Sequence, residues 1–432
     1  MYKRISMITI KAWKKDIAQL VEYKGVIKFK YLDPNNLDFS PIKMPIKNRQ
    51  VYNFSHIDFQ YGLPGLISDC LPGSYGMNYL DRFMFQYLKR KLTIFERLQF
   101  LGTHTLGALE FHPSLEAEEY KEVLNISKVY EESKKILNQE NEKENNSILT
   151  LKTLIAVSNS AGGGARSKAI VGFNPKDKTI SLTRKQGDFP KDYYPVIIKY
   201  DDQDISMYPT LSNKYKDASI ATKLEYLYYL FAKESGVNIS PCELLEQEGR
   251  THFLTYRFDL KDNERFHIHS LSGMMHYNPA ETYNDFIDMF RISLKLNLSQ
   301  KDKEDIVKVI LFNAIFGNKD DHSKNFSFLM NSKGKWSFAP AYDLTYTSNG
   351  YHQMLLGNKV LNRALFEDLK NAFEPYNIKE SFLKENIEKM IDIKHKKLVQ
   401  EFINYDIPKN LANHILNETK IVDENFSKEI KK

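Results

Sequence analysis

From Ser299 to Phe338 an apolar helix, a polar loop and an apolar hairpin follow one another, and this succession constrains the fold more than anything else in the chain. Ser299 with Asp302 three residues on forms a capping box, in which each residue's side chain satisfies a backbone N–H of the other and so starts a helix. Ile306, Val309, Ile310 and Ala314 keep helical spacing until Gly317 and Asn318 break it. Phe326-Ser327-Phe328-Leu329-Met330 reads as a short strand, with Lys335-Trp336-Ser337-Phe338 as its hairpin partner. The run Asn318-Lys319-Asp320-Asp321-His322-Ser323-Lys324-Asn325 is therefore a loop. Loops of this composition are usually solvated turns. This one joins two segments that must be buried, which carries its carboxylates close to the core.

Ala341-Tyr342-Asp343 follows the hairpin, with Asp343 eighteen residues beyond Asn325. An Asp, an Asn five residues later and an Asp beyond a hairpin is the wiring of a kinase-type site. The first carboxylate (Asp320) accepts a hydroxyl proton, while the amide oxygen (Asn325) and the second carboxylate (Asp343) hold Mg²⁺ against nucleotide phosphates. Mg²⁺ favours hard oxygen ligands and needs only one or two from the protein, so this set is chemically sufficient.

A nucleotide also needs a cradle. Ser158-Asn159-Ser160-Ala161-Gly162-Gly163-Gly164-Ala165-Arg166-Ser167-Lys168 precedes the apolar strand Ala169–Phe173. Three glycines let backbone N–H groups converge on a phosphate, and Arg166 and Lys168 add charge. The run matches neither the Walker pattern nor a dinucleotide fingerprint, and a flexible hairpin is its plainer reading. Lys199 ends the strand Pro195–Tyr200, either as a surface charge or as the lysine that reaches the α- and β-phosphates. Glu225, beside the apolar face Leu224, Leu227, Tyr228, Phe231 and Ala232 of a helix over 220–235, is the natural partner for it. The stretch Phe253–Asp259 reads as a strand and hinge. Backbone groups of Tyr256 to Phe258 could meet an adenine edge, and Asp259 either meets the ribose or caps the strand's end.

Other classes find less support. His267 and His269 could share a strand face as metal ligands, but no third ligand accompanies them at usable spacing. Gly-x-Ser-x-Gly, His-Glu-x-x-His and Cys-x-x-Cys are all absent, so hydrolase and zinc readings have no anchor. A net charge of +6 suits anionic ligands without making a nucleic-acid-binding signature. Cys70 and Cys242 make no disulfide framework, and no run suggests a signal peptide or membrane span, so a cytoplasmic protein with no membrane partner is expected.

At 432 residues the chain has room for several domains. Residues 1–112 read as a small α/β unit with a hairpin about Gly25, turns at 62–65 and 71–73, and helices over 76–87 and 93–101. Residues 113–147 are dense in Glu, Lys and Asn, and read as an exposed amphipathic helix with Val123, Ile126 and Tyr130 on its apolar side, fraying into a linker. Residues 148–258 then form a β-rich nucleotide-binding lobe, and 259–432 a mostly helical catalytic lobe.

Together these residues resemble the HipA family of serine/threonine kinases, the toxin half of HipA/HipB toxin–antitoxin modules. Phe59-Gln60-Tyr61-Gly62-Leu63-Pro64-Gly65 through Asp69, Leu71-Pro72 and Gly76 is similar to the family's N-terminal subdomain, and Gly107-Ala108-Leu109-Glu110-Phe111 to the segment leading into its kinase core. Ser160 to Lys168 resembles its phosphate loop and Arg257-Phe258-Asp259 its hinge. Asp320 to Asn325 and Ala339-Pro340-Ala341-Tyr342-Asp343 resemble its catalytic and metal-binding motifs.

The resemblance implies an α+β, two-lobed protein-kinase-like fold with an added N-terminal α/β subdomain and a mostly helical C-terminal lobe. It implies Asp320 as base, Asn325 and Asp343 as Mg²⁺ ligands, and ATP held by 162–166, Lys168, Lys199, Glu225, Tyr256, Phe258 and Asp259. His322 and Lys324 would brace the loop or contact a phosphate, and Asp321 is the weaker base candidate. Ser160 would be the autophosphorylation site, although the loop carries one glycine more than the family's pattern and sets Ser160 eight residues before Lys168 instead of seven. The implied partners are a protein substrate in translation, such as an aminoacyl-tRNA synthetase, and a HipB-like helix-turn-helix antitoxin through which DNA is met only indirectly. A small-molecule kinase of similar fold and a non-catalytic nucleotide-binding partner in a repressor complex stay open as alternatives.

Overall fold

The computed structural model describes residues 6–114, 123–124, 168–182, 189–201, 219–261, 264–348 and 350–428. They form two compact units. The first comprises Met1–Tyr200, Leu245–His276 and Leu329–Lys335, and the second Asp201–Leu244, Tyr277–Phe328 and Trp336–Lys432.

The first unit opens with β1 (Ser6–Ala12), β2 (Lys15–Tyr23), β3 (Val26–Tyr31), β4 (Tyr52–Asn53) and β5 (Leu109–His112), in the sheet order β4-β3-β2-β1-β5. The hairpin expected at Gly25 is present. Lys24 and Gly25 both take left-handed φ, 54° and 77°, the backbone that matches the twist of a tight hairpin. Helices α1 (Gly65–Ser68), α2 (Ser74–Leu88) and α3 (Ile94–Leu101) follow, α3 starting on a Thr93–Glu96 capping box.

A second sheet in this unit has the order β10-β11-β9-β7-β8-β6, where β6 is Val123–Leu124, β7 Lys168–Asn174, β8 Thr179–Ser181, β9 Tyr194–Lys199, β10 Cys242–Gln247 and β11 Arg250–Tyr256. One face, bearing Ala169, Val171, Phe173, Val196, Ile198 and Leu254, packs on Tyr79 and Leu80 of α2. Two expectations are corrected here. Val123 and Leu124 are not helical but pair with Ser181 and Ile180, because ladder bonds to β8 override the local spacing. The rest of the charged helix lies outside the described residues. The strand expected to reach Asp259 ends at Tyr256, and Phe258 and Asp259 form a turn.

Buried polar contacts join distant segments of this unit. Asp69 accepts hydrogen bonds from His269 Nδ1 (2.7 Å), Ser270 N (2.8 Å) and Ser270 Oγ (2.6 Å), while His269 Nε2 meets Ser40 Oγ at 3.0 Å. Burial pushes the Asp69 carboxyl up, but its bonds to His269 and Ser270 outweigh this and hold it below the usual range. His267 Nε2 lies 3.0 Å from the Phe39 carbonyl. Both imidazoles considered as metal ligands are thus bound to protein groups. Gly65 of α1 packs on the short helix Leu271–Met275, where a Cβ on Gly65 would lie 1.9 Å from the Gly273 carbonyl oxygen. Gly65→Ala is therefore expected to destabilise the fold by about 3 kcal/mol or more, read as a lower urea midpoint, since backbone on both sides must move.

Burial lowers the pKa of three imidazoles in this unit: His267 to about 3, and His252 and His276 to about 4, against an ordinary 6.5. These groups are neutral when folded, whereas the unfolded chain takes up protons below pH 6.5. Their stabilisation is therefore complete above pH 6.5 and lost as the pH falls toward 4. Buried His252 and His267 should each cost about 2 kcal/mol of stability at pH 5, and half-buried His276 less. Urea midpoints at pH 7 and pH 5 measure this, and His252→Phe should flatten the slope.

The second unit is built on α4 (Ser219–Glu234), α5 (Ile287–Lys295), α6 (Gln300–Phe316), α7 (Phe366–Phe373), α8 (Glu380–Asn404) and α9 (Lys409–Ser427). Helix α6 starts on the expected Ser299–Asp302 capping box and ends at Gly317, whose φ of 69° is left-handed. It is buried from Asp305 to Phe316 except at half-buried Lys308, so it is the central helix and not a surface one. The expected apolar face of α4 packs on it: Tyr228 meets Phe312 edge-on at 6.1 Å, and Phe231 stacks on Phe316 at 5.6 Å. Lys394 of α8 is fully buried and donates to the Ile315 carbonyl (2.8 Å), Thr419 Oγ1 (2.8 Å) and Asp423 Oδ1 (2.7 Å). Among the described residues no helix is long and apolar enough to cross a membrane.

Candidate active site

Helix α6 ends on Gly317 and releases the chain into the loop 318–325, held on every side within the second unit. Asn318 Nδ2 donates to Asn313 Oδ1 at 3.0 Å, and Lys319 N donates to Thr347 Oγ1 at 2.7 Å. The Lys319 ammonium pairs with Glu418 of α9, whose other oxygen accepts the Tyr346 hydroxyl at 2.5 Å. Burial pushes the Glu418 carboxyl up, yet these two bonds outweigh it and hold the group below its usual range. Asn325 Nδ2 closes the loop by donating to the Asp320 carbonyl at 2.7 Å. A carbonyl only accepts, so the amide nitrogen of Asn325 is fixed there and its oxygen is left for another partner.

The two adjacent aspartates are sorted by environment. The Asp321 side chain is 0% exposed, accepting Gln353 N and His352 Nδ1, each at 2.7 Å. The Asp320 side chain is 47% exposed, with Oδ1 accepting Gln353 Nε2 at 2.7 Å. Asp321 is thus a structural carboxylate and Asp320 the one open to solvent. His322 Nε2 stands 4.0 Å from Asp320 Oδ1, and its Nδ1 is buried without a hydrogen-bond partner among the described residues. The half-buried Lys324 side chain makes no ion pair among the described residues.

Asp343 is carried alongside this loop. The Tyr342 hydroxyl donates to the Lys324 carbonyl at 2.7 Å and meets Ser327 Oγ at 2.6 Å, while Thr347 is tied to Lys319. The segment holding Asp343 is therefore pinned at both ends against the segment holding Asp320 and Asn325. Asp343 itself takes a left-handed φ of 54°, a conformation uncommon outside glycine and tolerated best by Asp and Asn. Its carboxylate and the Asn325 amide oxygen are hard donors of the kind Mg²⁺ takes. The donor set fits that ion.

In the first unit, Lys168, Lys199 and Phe253 are cross-strand neighbours on β7, β9 and β11 and so share one face. It is the face opposite the one packed on α2. Both lysines are buried, and Lys199 Nζ lies 5.7 Å from the Phe253 ring centroid. Beside this face Arg257 N donates to the Pro195 carbonyl at 3.0 Å, continuing the ladder past the end of β11, and Tyr256 and Phe258 are half-buried.

Asp259 departs from the expectation of a ribose contact. Its carboxylate is buried against the Arg257 guanidinium, which donates at 2.9 Å to Oδ1, and it accepts Gly107 N at 2.7 Å. Glu225 is buried on α4 in the second unit. Ser160, Gly162, Gly163, Gly164, Ala165 and Arg166 lie outside the described residues. The sequence reading missed Gln353, His352 and Glu418, because nothing local marks residues that reach the loop from 31 to 99 positions away.

Comparison with known proteins agrees with this architecture. Residues 8–112 match the HipA N-terminal domain and residues 160–400 the HipA-like C-terminal domain. The structure of the Shewanella oneidensis MR-1 toxin–antitoxin complex of HipA, HipB and operator DNA superposes on 98% of this chain and 97% of that one. The TM-score is 0.65 at 16% identity, which establishes an α+β fold of the HipA kind. The Sinorhizobium fredii protein Y4mE is 28% identical over 139 residues, a match that spans 29% of this chain and about a third of that relative's length (32%). The Helicobacter pylori proinflammatory kinase CtkA overlaps 54% of this chain with a TM-score of only 0.35. With a loop–hairpin–aspartate arrangement built as described and family matches over both its halves, this chain belongs to the HipA family.

Proposed function

We propose that this protein is an ATP- and Mg²⁺-dependent serine/threonine protein kinase of HipA type. The observation that carries this reading is the sorting of the loop: Asp320 is half-exposed, Asp321 is sealed beneath it, and the Asn325 amide is turned so that its oxygen is free to bind. Asp320 orients the acceptor hydroxyl and takes its proton as the phosphoryl group arrives. Asn325 and Asp343 would hold Mg²⁺, which when bound neutralises charge on the phosphates. Lys168 and Lys199 place two positive charges on one face of the first unit's sheet, and the stretch from Tyr256 to Phe258 offers backbone groups to a base.

The acceptor on this reading is a protein of the translation machinery, such as an aminoacyl-tRNA synthetase, together with Ser160 of the chain itself. A HipB-like helix-turn-helix protein is the proposed antitoxin, supported by the Shewanella complex, and through it operator DNA. The test is transfer of labelled phosphate from ATP, offered protein and small-molecule acceptors in parallel. Labelled serine or threonine in a protein acceptor is the expected result. Label only in small molecules, or nucleotide binding without transfer, would overturn it.

A further inference from the structure

Resting on the kinase reading, we propose that Gln353 is a positioning residue for the catalytic base. Its side-chain amide donates to Asp320 Oδ1 at 2.7 Å, the one hydrogen bond to that carboxylate among the described residues. His322 Nε2 stands 4.0 Å from the same oxygen. A carboxylate only accepts, so the NH₂ end of the amide must face it. One carboxylate oxygen is thereby occupied and held in direction. The other, Oδ2, is left to take the proton of the acceptor hydroxyl.

The amide is delivered from a stiff support. Gln353 N donates to buried Asp321 Oδ1, and His352 Nδ1 donates to Asp321 Oδ2. One dipeptide thus grips both aspartates, its main chain and His352 on the sealed one and its Gln353 side chain on the open one. Immediately beyond, Met354 and Leu355 pair in parallel with Asn284 and Asp285. The Asp285 carboxylate accepts Gly357 N at 3.1 Å and Asn358 N at 3.0 Å, closing the turn that follows. A glutamine on a solvated loop would sample many rotamers. This one is half-buried on an anchored backbone, so it restricts the base to one direction, which is what near-attack geometry requires.

The experiment compares wild type, Gln353→Met, Asp320→Asn and the double variant in phosphoryl transfer from ATP to the acceptor found above. Methionine keeps the volume and removes the donor. Gln353→Met is expected to lower kcat about tenfold or more, with KM for ATP within about twofold and an unchanged melting temperature. In the Asp320→Asn background the same substitution should change kcat by less than about twofold, because a residue that acts through Asp320 has nothing left to act on. Wild-type rates in Gln353→Met overturn the inference and leave the kinase reading standing. An equal loss in both backgrounds, or a loss that tracks the melting temperature, assigns Gln353 to structure alone and also overturns it. A wild-type chain that transfers no phosphate overturns the kinase reading and the inference with it.

Discussion

Asp320→Asn is expected to lower phosphoryl transfer from ATP by about 10²- to 10⁴-fold while leaving the melting temperature unchanged. The amide cannot take up the hydroxyl proton, yet its oxygen still accepts from Gln353 Nε2, and the half-exposed position has little packing to lose. The neighbouring Asp321→Asn should do the reverse. Its side chain is 0% exposed and receives donors from His352 and Gln353, so replacing one acceptor oxygen with NH₂ sets donor against donor in a buried site. About 1–3 kcal/mol of stability should go with it, seen as a lower urea midpoint. Asp343→Asn completes the set: it should raise the Mg²⁺ concentration for half-maximal rate, with part of the activity recovered at high Mg²⁺. If Asp320→Asn and Asp343→Asn both transfer phosphate like wild type, the site has been misassigned.

The largest effect on stability should come from Lys394→Met. The ammonium has three protons and three acceptors, the Ile315 carbonyl, Thr419 Oγ1 and Asp423 Oδ1, so it is fully satisfied although burial pulls its pKa down. Methionine fills much the same space but leaves Asp423, among the described residues, with His395 at 2.8 Å as its one remaining side-chain partner. Breaking a buried pair from one side costs about 3–5 kcal/mol. Replacing both members with apolar residues of similar volume should recover most of that loss, since the pair's desolvation is then removed along with its attraction. Urea unfolding of Lys394→Met and of Lys394→Met/Asp423→Leu separates the two outcomes. A single variant as stable as wild type would show that the site takes in water and is not sealed.

Much of this was legible in the sequence wherever the signal was local. The Ser299–Asp302 box, the spacing of Ile306 to Ala314 and the break at Gly317 needed only neighbouring residues, and α6 runs as they predict. The hairpin after Asn325 and the one at Gly25 were legible for the same reason. What stayed hidden depends on residues far apart in the chain. Nothing near Asp259 announces that Gly107 N, 152 positions earlier, will occupy its carboxylate. Nothing near Val123 announces a ladder with Ser181. Asp320 and Asp321 are identical in type and adjacent in order, and only the return of His352 and Gln353 tells which is buried.

The grip of Glu418 on Lys319 and Tyr346 bears on how the protein is made. Lys319 and Glu418 are 99 positions apart, so a ribosome that has finished the loop 318–325 must still add more than ninety residues before the carboxylate that fastens it exists. A chain that stops short of α9 carries Asp320 and Asn325 but lacks this clasp. The loop is therefore fastened late in synthesis, when α9 docks.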